Sequence, residues 1–223
     1  KEVCLMNVLI VGAHGQIGQH LVDLLKEEGQ HNPIAFVRSE DQIKQFQDKG
    51  VEARLGNLED SIDEIKKNLT DIDAVVFSAG SGGSTGADKT LLVDLDGAVK
   101  VMEATKASGI KRFLIVSAFG AGNRDRFSDQ IKPYYVAKHF ADQWLVDKTD
   151  LDYTIIRPGL LSDEDSKDTV RLEYEITDAE DNTVPRIDVA RVIAASLDND
   201  STVRKAFDLV SGSDQIEDAL NKL

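Results

Sequence analysis

The sequence predicts an α/β fold, a doubly wound parallel sheet with a small C-terminal excursion. Three observations predict it. Short apolar runs such as Val8-Leu9-Ile10-Val11, Ala74-Val75-Val76-Phe77 and Phe113-Leu114-Ile115-Val116 recur along the chain, as strands buried on both faces do. Stretches with apolar residues at helical spacing separate them, so that strands and helices alternate around right-handed crossovers. Glycines 12, 15 and 18 stand where the first run gives way to the first helical stretch. That strand-to-helix turn is where such folds admit a ligand.

The elements follow in order. From Gln16 onward, Ile17, His20, Leu21, Leu24 and Leu25 recur at helical spacing. Ile34–Val37 is the second strand, and Ser39 with Gln42 forms a capping box for a helix reaching Lys49. Val51–Leu55 is a short strand, a helix spans Ile62–Leu69, and Ala74–Phe77 is the fourth strand. Leu91, Leu92, Leu95, Val99 and Met102 mark one face of a long helix ending near Gly109. After the fifth strand, Phe113–Val116, a helix covers Tyr134–Lys148, and Tyr153–Ile156 is the sixth strand. Two segments break this rhythm. Ser78–Thr85 is small and glycine-rich, as a chain passing close to a ligand must be, and Gly159–Val184 is polar and acidic apart from an alternating run, Val170–Ile176. The segment from about residue 159 to 185 is therefore expected to face substrate. A helix at Ile187–Leu197, a strand at Ala206–Val210 and a final helix close the chain. Residues 6–223 are expected to form one domain, with Met6 as the natural initiator and Lys1–Leu5 as an upstream extension.

Composition narrows the function classes. A net charge of −14 argues against a partner with a phosphate backbone, and so against nucleic acid. It equally disfavours an anionic membrane surface, and no apolar run reaches the roughly 18 residues a span requires. The single cysteine, Cys4, cannot form an internal disulfide, which fits a reducing cytoplasm. The four histidines, His14, His20, His31 and His139, show no metal-ligand spacing, so no metal site is expected.

The chemistry concentrates at the ends of the strands. Gly12 suits a tight turn, Gly15 lets the backbone approach a pyrophosphate, and Gly18 lets the helix pack on the sheet. The helix N-terminus then offers free N–H groups and a positive dipole end to the phosphates. His14 reads as a residue of this phosphate loop. Arg38 ends the second strand, where an acid would accept from a ribose 2′-hydroxyl and an arginine accommodates a 2′-phosphate. The expected cofactor is NADP rather than NAD. Tyr134 and Lys138 lie four residues apart at a helix start, so both project from one face. An ammonium beside a phenol lowers the phenol pKa and readies it for proton transfer. Ser117, at the end of the fifth strand, either orients a substrate oxygen toward Tyr134 or simply ends the strand.

Taken together, Gly12-x-x-Gly15-x-x-Gly18, Ser78-Ala79-Gly80, Tyr134-Tyr135-Val136-Ala137-Lys138 and Tyr153-Thr154-Ile155-Ile156-Arg157-Pro158-Gly159 resemble the atypical short-chain dehydrogenase/reductases. The similarity is to the small NAD(P)-binding, epimerase-like subgroup related to flavin and biliverdin reductases, and it covers Met6 to Leu209. The resemblance implies a Rossmann-type domain with cofactor contacts along Gly12, His14, Gly15, Gln16 and Ile17. It implies adenine contact at Gly56-Asn57-Leu58, and a nicotinamide near Ala79, Gly80, Lys138 and Pro158. Three residues depart from the pattern. His14 replaces a small or hydroxyl residue, Asn57 an aspartate, and Ala118 stands where many relatives carry the catalytic hydroxyl. The resulting expectation is an NADP-dependent oxidoreductase, monomeric or homodimeric, reducing a small carbonyl, quinone or flavin-like substrate. Tyr134 would be its general acid, with Lys138 and Ser117 assisting. The alternatives are a non-catalytic NADP(H)-binding sensor or scaffold, and a nucleotide-sugar epimerase or dehydratase.

Overall fold

Apolar runs five or so residues long form the buried centre of one sheet. The structure, a computed structural model, describes residues 5–83, 85–178 and 181–223. Most of the expected N-terminal extension, including Cys4, therefore lies outside the described residues, as does Ser84 of the glycine-rich segment. The strands are β1 (Asn7–Val11), β2 (Asn32–Val37), β3 (Glu52–Leu55), β4 (Ala74–Phe77), β5 (Arg112–Val116) and β6 (Asp152–Pro158). Then come β7 (Leu160–Ser162), β8 (Thr169–Glu173), β9 (Thr183–Pro185), β10 (Lys205–Ser211) and β11 (Asp214–Gln215). The helices are α1 (Gln16–Glu28), α2 (Glu40–Asp48), α3 (Ile62–Lys66), α4 (Ala87–Lys89), α5 (Ala98–Ala107), α6 (Lys132–Lys148), α7 (Arg186–Leu197) and α8 (Ile216–Asn221). A π-helical stretch, Thr90–Gly97, joins α4 to α5.

The main sheet runs β11-β8-β10-β6-β5-β4-β1-β2-β3. From β3 to β10 every neighbouring pair is parallel. The order reverses between β1 and β4, the switch point at which a crevice opens along the carboxyl edge. Each face buries its own core. Val8, Ile10, Leu21, Leu25, Val189 and Ile193 meet on the α1–α7 face. Leu9, Val75, Phe77, Met102, Phe113 and Leu145 meet on the α5–α6 face. None of the described helices is long and apolar enough to cross a membrane.

Two expectations need correction, and one feature is added. The sheet, parallel from β3 to β10 as expected, gains an antiparallel edge from β8 and β11 beyond β10. The alternation in the sequence carried that signal: Val170 and Leu172 are buried while Glu173 is exposed, as in a strand with one solvated face. The excursion is accordingly part of the sheet, and it also forms the small parallel pair β7–β9. The long helix does not bury one even face. Leu91 and Leu92 are exposed, and Thr90, Asp94 and Gly97 point inward instead, because the wider π turn shifts the helical phase. Finally, the Ser39 hydroxyl accepts from Gln42 N–H at 3.4 Å, but the Gln42 side chain reaches the N–H of Arg38 at 3.1 Å. The box closes one residue upstream and fixes the backbone of Arg38.

Arg112, at the start of β5, ties the sheet to the end of α7. Its guanidinium donates to the carbonyls of Asp152 (2.8 Å), Leu197 (3.3 Å) and Ser196, and to Thr202 Oγ1 (2.9 Å). Burial brings its pKa down to about 10, against the opposing pull of Asp152, Asp200 and Asp198. Replacing it strands buried carbonyls without a donor. Arg112→Met is expected to lower the unfolding free energy by roughly 2–4 kcal/mol, read from the urea midpoint. A loss within error of zero would show that water replaces these bonds freely.

Candidate functional site

The site is built where β1 and β4 end side by side. Gly12 has φ +89°, and a Cβ there would lie 2.6 Å from the backbone of Ala79. Only glycine fits, on both grounds. Gly18 is equally constrained: a Cβ would sit 2.3 Å from the Gly12 carbonyl oxygen, so α1 presses against the turn. Gly15 has an ordinary φ of −68° and is the N-cap of α1, and its N–H donates to the Gly12 carbonyl at 2.9 Å. No side chain caps this helix start and no acid lies in its first turn. The N–H groups at Gln16 and Ile17 therefore face the crevice with the positive end of the helix dipole. A phosphate fits this cradle.

The loop residues are braced from outside. His14 is exposed, its Nε2 3.1 Å from Gln45 Oε1 on α2, and its carbonyl accepts from Gln19 Nε2 at 2.8 Å. Gln16 donates to Asp163 Oδ1 at 3.1 Å, which Arg186 also engages at 2.7 Å. Ile17 is buried in the α1 core. One strand over, Arg38 is exposed, and its guanidinium forms no ion pair among the described residues. At the end of β3, Asn57 Oδ1 accepts from Glu59 N–H at 3.0 Å, so its side chain shapes the turn. Leu58 beside it packs near Gly97, where a Cβ would come within 3.1 Å. Arg38, Asn57 and Leu58 thus share one edge, on the α2 side of the glycine turn.

On the other side, α6 presents a stripe of three polar residues at four-residue spacing. Tyr134 is half-buried, and the Lys138 ammonium, 2 % exposed, lies 6.0 Å from its ring centroid. Asp142 is fully buried and accepts from Arg157 Nε at 3.0 Å. A Cβ at Gly122 would come within 2.5 Å of the Arg157 guanidinium, so that arm is held close under the loop. Ser117, at the end of β5, is 2 % exposed. Asp94, on the π-helical stretch, is 1 % exposed and accepts from Ser81 N–H at 3.0 Å. Gly80 sits directly above it, and a Cβ there would be 3.1 Å from Asp94 Oδ1. Ala79 is half-buried, and Pro158 ends β6 with its carbonyl accepting from Phe119 N–H at 3.1 Å.

The electrostatics differ from expectation. Burial, then Asp94, Tyr135 and Asp142, push the Tyr134 phenol above its ordinary value rather than below it. Burial and the nearby carboxylates favour the protonated phenol, a group suited to giving a proton rather than taking one. Burial pulls Lys138 down while Asp94 and Asp142 hold it up. Asp142 is raised by its own burial, against Arg157, Ser117 and Lys138. Asp94, Asp142 and Arg157 received no role from the sequence. Asp142 was findable as the next i+4 step after Tyr134 and Lys138, and Arg157 as the one charge ending an apolar strand. Asp94 carried no such signal, because only the π turn brings it inside.

Beyond Arg157 lies a small polar cavity of about 160 Å³, lined by Gly120, Asn123, Arg126, Arg157, Glu175 and Asp208. Asp208 accepts from the N–H groups of Gly120 (3.5 Å) and Ile176 (3.1 Å) and pairs with Arg126 at 3.4 Å. It thereby joins the loop after β5 to the segment after β8. Among the described residues no cluster of three or more His, Cys, Asp or Glu could hold a metal ion.

Known proteins share this fold. The chain matches the NAD(P)H-binding family over residues 12–200. It is 49% identical over 218 residues to a Bacillus subtilis protein named as the uncharacterized sugar epimerase YhfK, covering 98% of this chain and 100% of that one. A Bacillus halodurans structure, described as an NAD-dependent epimerase/dehydratase, superposes with a TM-score of 0.91 at 40% identity, covering 98% and 100% of the two chains. The structure of the Lactococcus lactis oxidoreductase ylbE gives 0.88 at 32% identity, with 98% and 96% covered. With that family model matching residues 12–200, the chain belongs to the NAD(P)H-binding family.

Proposed function

We propose that the protein is an NADP-dependent oxidoreductase that reduces a small carbonyl, quinone or flavin-like substrate. The observation that carries this reading is the Tyr134–Lys138 pair, set at the carboxyl edge against the turn after β4 and opposite the glycine cradle. The N-terminus of α1 would hold the pyrophosphate, and Arg38 the 2′-phosphate, for which its unpaired guanidinium is suited. Asn57 and Leu58 would border the adenine, and Ala79, Gly80 and Pro158 the nicotinamide. The bound dinucleotide supplies the hydride. Tyr134, protonated and largely withdrawn from water, would give its proton to the substrate oxygen as the carbon is reduced. Lys138 would hold the ribose. Ser117 would assist weakly, orienting the substrate oxygen toward Tyr134.

The strongly acidic composition supports a small-molecule substrate, without nucleic-acid or membrane partners. The single cysteine suits a cytoplasmic setting, with the protein a monomer or homodimer. A second reading, epimerisation or dehydration of a nucleotide sugar, is favoured by the names of the Bacillus relatives.

Two substitutions test the first reading. A charge-assisted hydrogen bond is worth roughly 1.5–3 kcal/mol, so Arg38→Ala is expected to weaken NADPH binding about 10- to 100-fold and NADH binding little. Titration calorimetry with both cofactors checks this, and equal losses would remove the 2′-phosphate from Arg38. Tyr134→Phe is expected to lower kcat by about 10²–10⁴ while leaving NADPH affinity intact. Steady-state NADPH turnover against a panel of quinones, flavins and aldehydes measures it. Full turnover in the variant would place the proton donor elsewhere.

A further inference from the structure

The segment after β6 returns to the glycine turn, and its charges meet the start of α1 there. β7 and β9 pair with Ser162 opposite Pro185, so the next residues along, Asp163 and Arg186, emerge side by side. The other end of this strand pair is fixed. Leu160 N–H donates to the Asn182 carbonyl at 2.8 Å, and a Cβ on Gly159 would collide with that same oxygen. Downstream, Asp188 is fully buried and accepts from the Ser166 hydroxyl and from Lys167 N–H at 2.9 Å. Residues 163–165 are thus an exposed bridge between two anchors.

On this bridge, Asp163 Oδ1 accepts from Gln16 Nε2 at 3.1 Å and from Arg186 at 2.7 Å. Gln16 is the first residue of α1, whose N–H opens the phosphate cradle. One carboxylate oxygen therefore joins a residue of the cradle to a guanidinium. Arg186 is out of place for its own helix, because it starts α7, where the positive dipole end disfavours a base. The acid in that first turn, Asp188, is already taken by Ser166 and Lys167. The fold nonetheless holds the Arg186 side chain largely buried, 21 % exposed, against Asp163. The Asp163 side chain is 68 % exposed and free to turn into water. We propose that Arg186 is a further binding residue for the dinucleotide pyrophosphate, and that Asp163 stands in for the phosphate until the dinucleotide binds. The proposal rests on the dinucleotide reading above and adds two residues to it. Arg186 exchanges one oxyanion for another and keeps its charge matched, whereas Asp163 gives up its place beside α1.

Opposite signs at the two residues separate this exchange from a purely structural tie. Arg186→Gln is expected to weaken NADPH binding about 10- to 100-fold, and NADH binding equally, since both cofactors carry the pyrophosphate. Asp163→Asn removes the competing charge and is expected to tighten both by about two- to fivefold, the worth of an exposed ion pair. Titration calorimetry at fixed ionic strength gives the dissociation constants, with thermal melting as a check on folding. Arg186→Lys should recover part of the loss, because a point charge still attracts a phosphate. Should Arg186→Gln fail to fold, the sign of the change at Asp163 decides alone. Unchanged or weaker binding in Asp163→Asn, or unchanged binding in Arg186→Gln, would overturn the exchange and leave the pair as a tie between β7 and α7. A wild-type chain that binds neither NADPH nor NADH would instead overturn the functional reading, and this proposal with it.

Discussion

The turns after β1 and β4 approach so closely that no side chain fits between them, and the ligand edge takes its shape from that contact. β1 and β4 stay hydrogen-bonded to the last residue, with Ser78 N–H donating to the Val11 carbonyl at 2.8 Å and the Ser78 hydroxyl reaching the same oxygen at 3.2 Å. Their connections then leave to opposite faces, α1 toward one core and the π-helical stretch toward the other. Gly12 makes the parting possible, and Gly18 lets α1 start immediately beside it. Everything assigned to the dinucleotide stands around this point. Arg38 and Asn57 lie toward β3, and Tyr134, Lys138 and Pro158 toward β10.

The two sides of the point differ in physical character. On the glycine side stand exposed backbone and one arginine in water, where charge is cheap to hold. The α6 side sinks Lys138, Asp142, Arg157 and Asp94 below the surface. Desolvating four ionisable groups is unfavourable unless their charges balance locally. Here two acids stand against two bases. Such a set is rigid, because removing one member leaves another charge uncompensated, and rigidity is what a group holding a proton in a fixed place requires.

Much of this was legible in the sequence, for identifiable reasons. Strands buried on both faces must be apolar throughout, so β1, β4 and β5 stood out as unbroken runs. Gly12 and Gly18 could be read because steric exclusion leaves no other residue at such turns. Other features depend on information that periodicity does not carry. Leu91 and Leu92 obey helical spacing, yet a π turn places them outside and Asp94 inside. The direction of the Tyr134 shift depends on how much water the fold removes and where the carboxylates fall, and both are tertiary facts. How deeply Ser117 is buried, 2 % exposed, likewise depends on tertiary packing that its place at a strand end does not reveal.

Asp208 has a consequence of another kind. Its single carboxylate holds the Gly120 amide of one loop, the Ile176 amide of another and the Arg126 guanidinium. Two segments that are 56 residues apart in the chain therefore share one anchor, and either one lifting away removes a hydrogen bond from that buried acid. The two segments are therefore expected to open together, with amide hydrogen exchange at Gly120 and Ile176 governed by one shared opening.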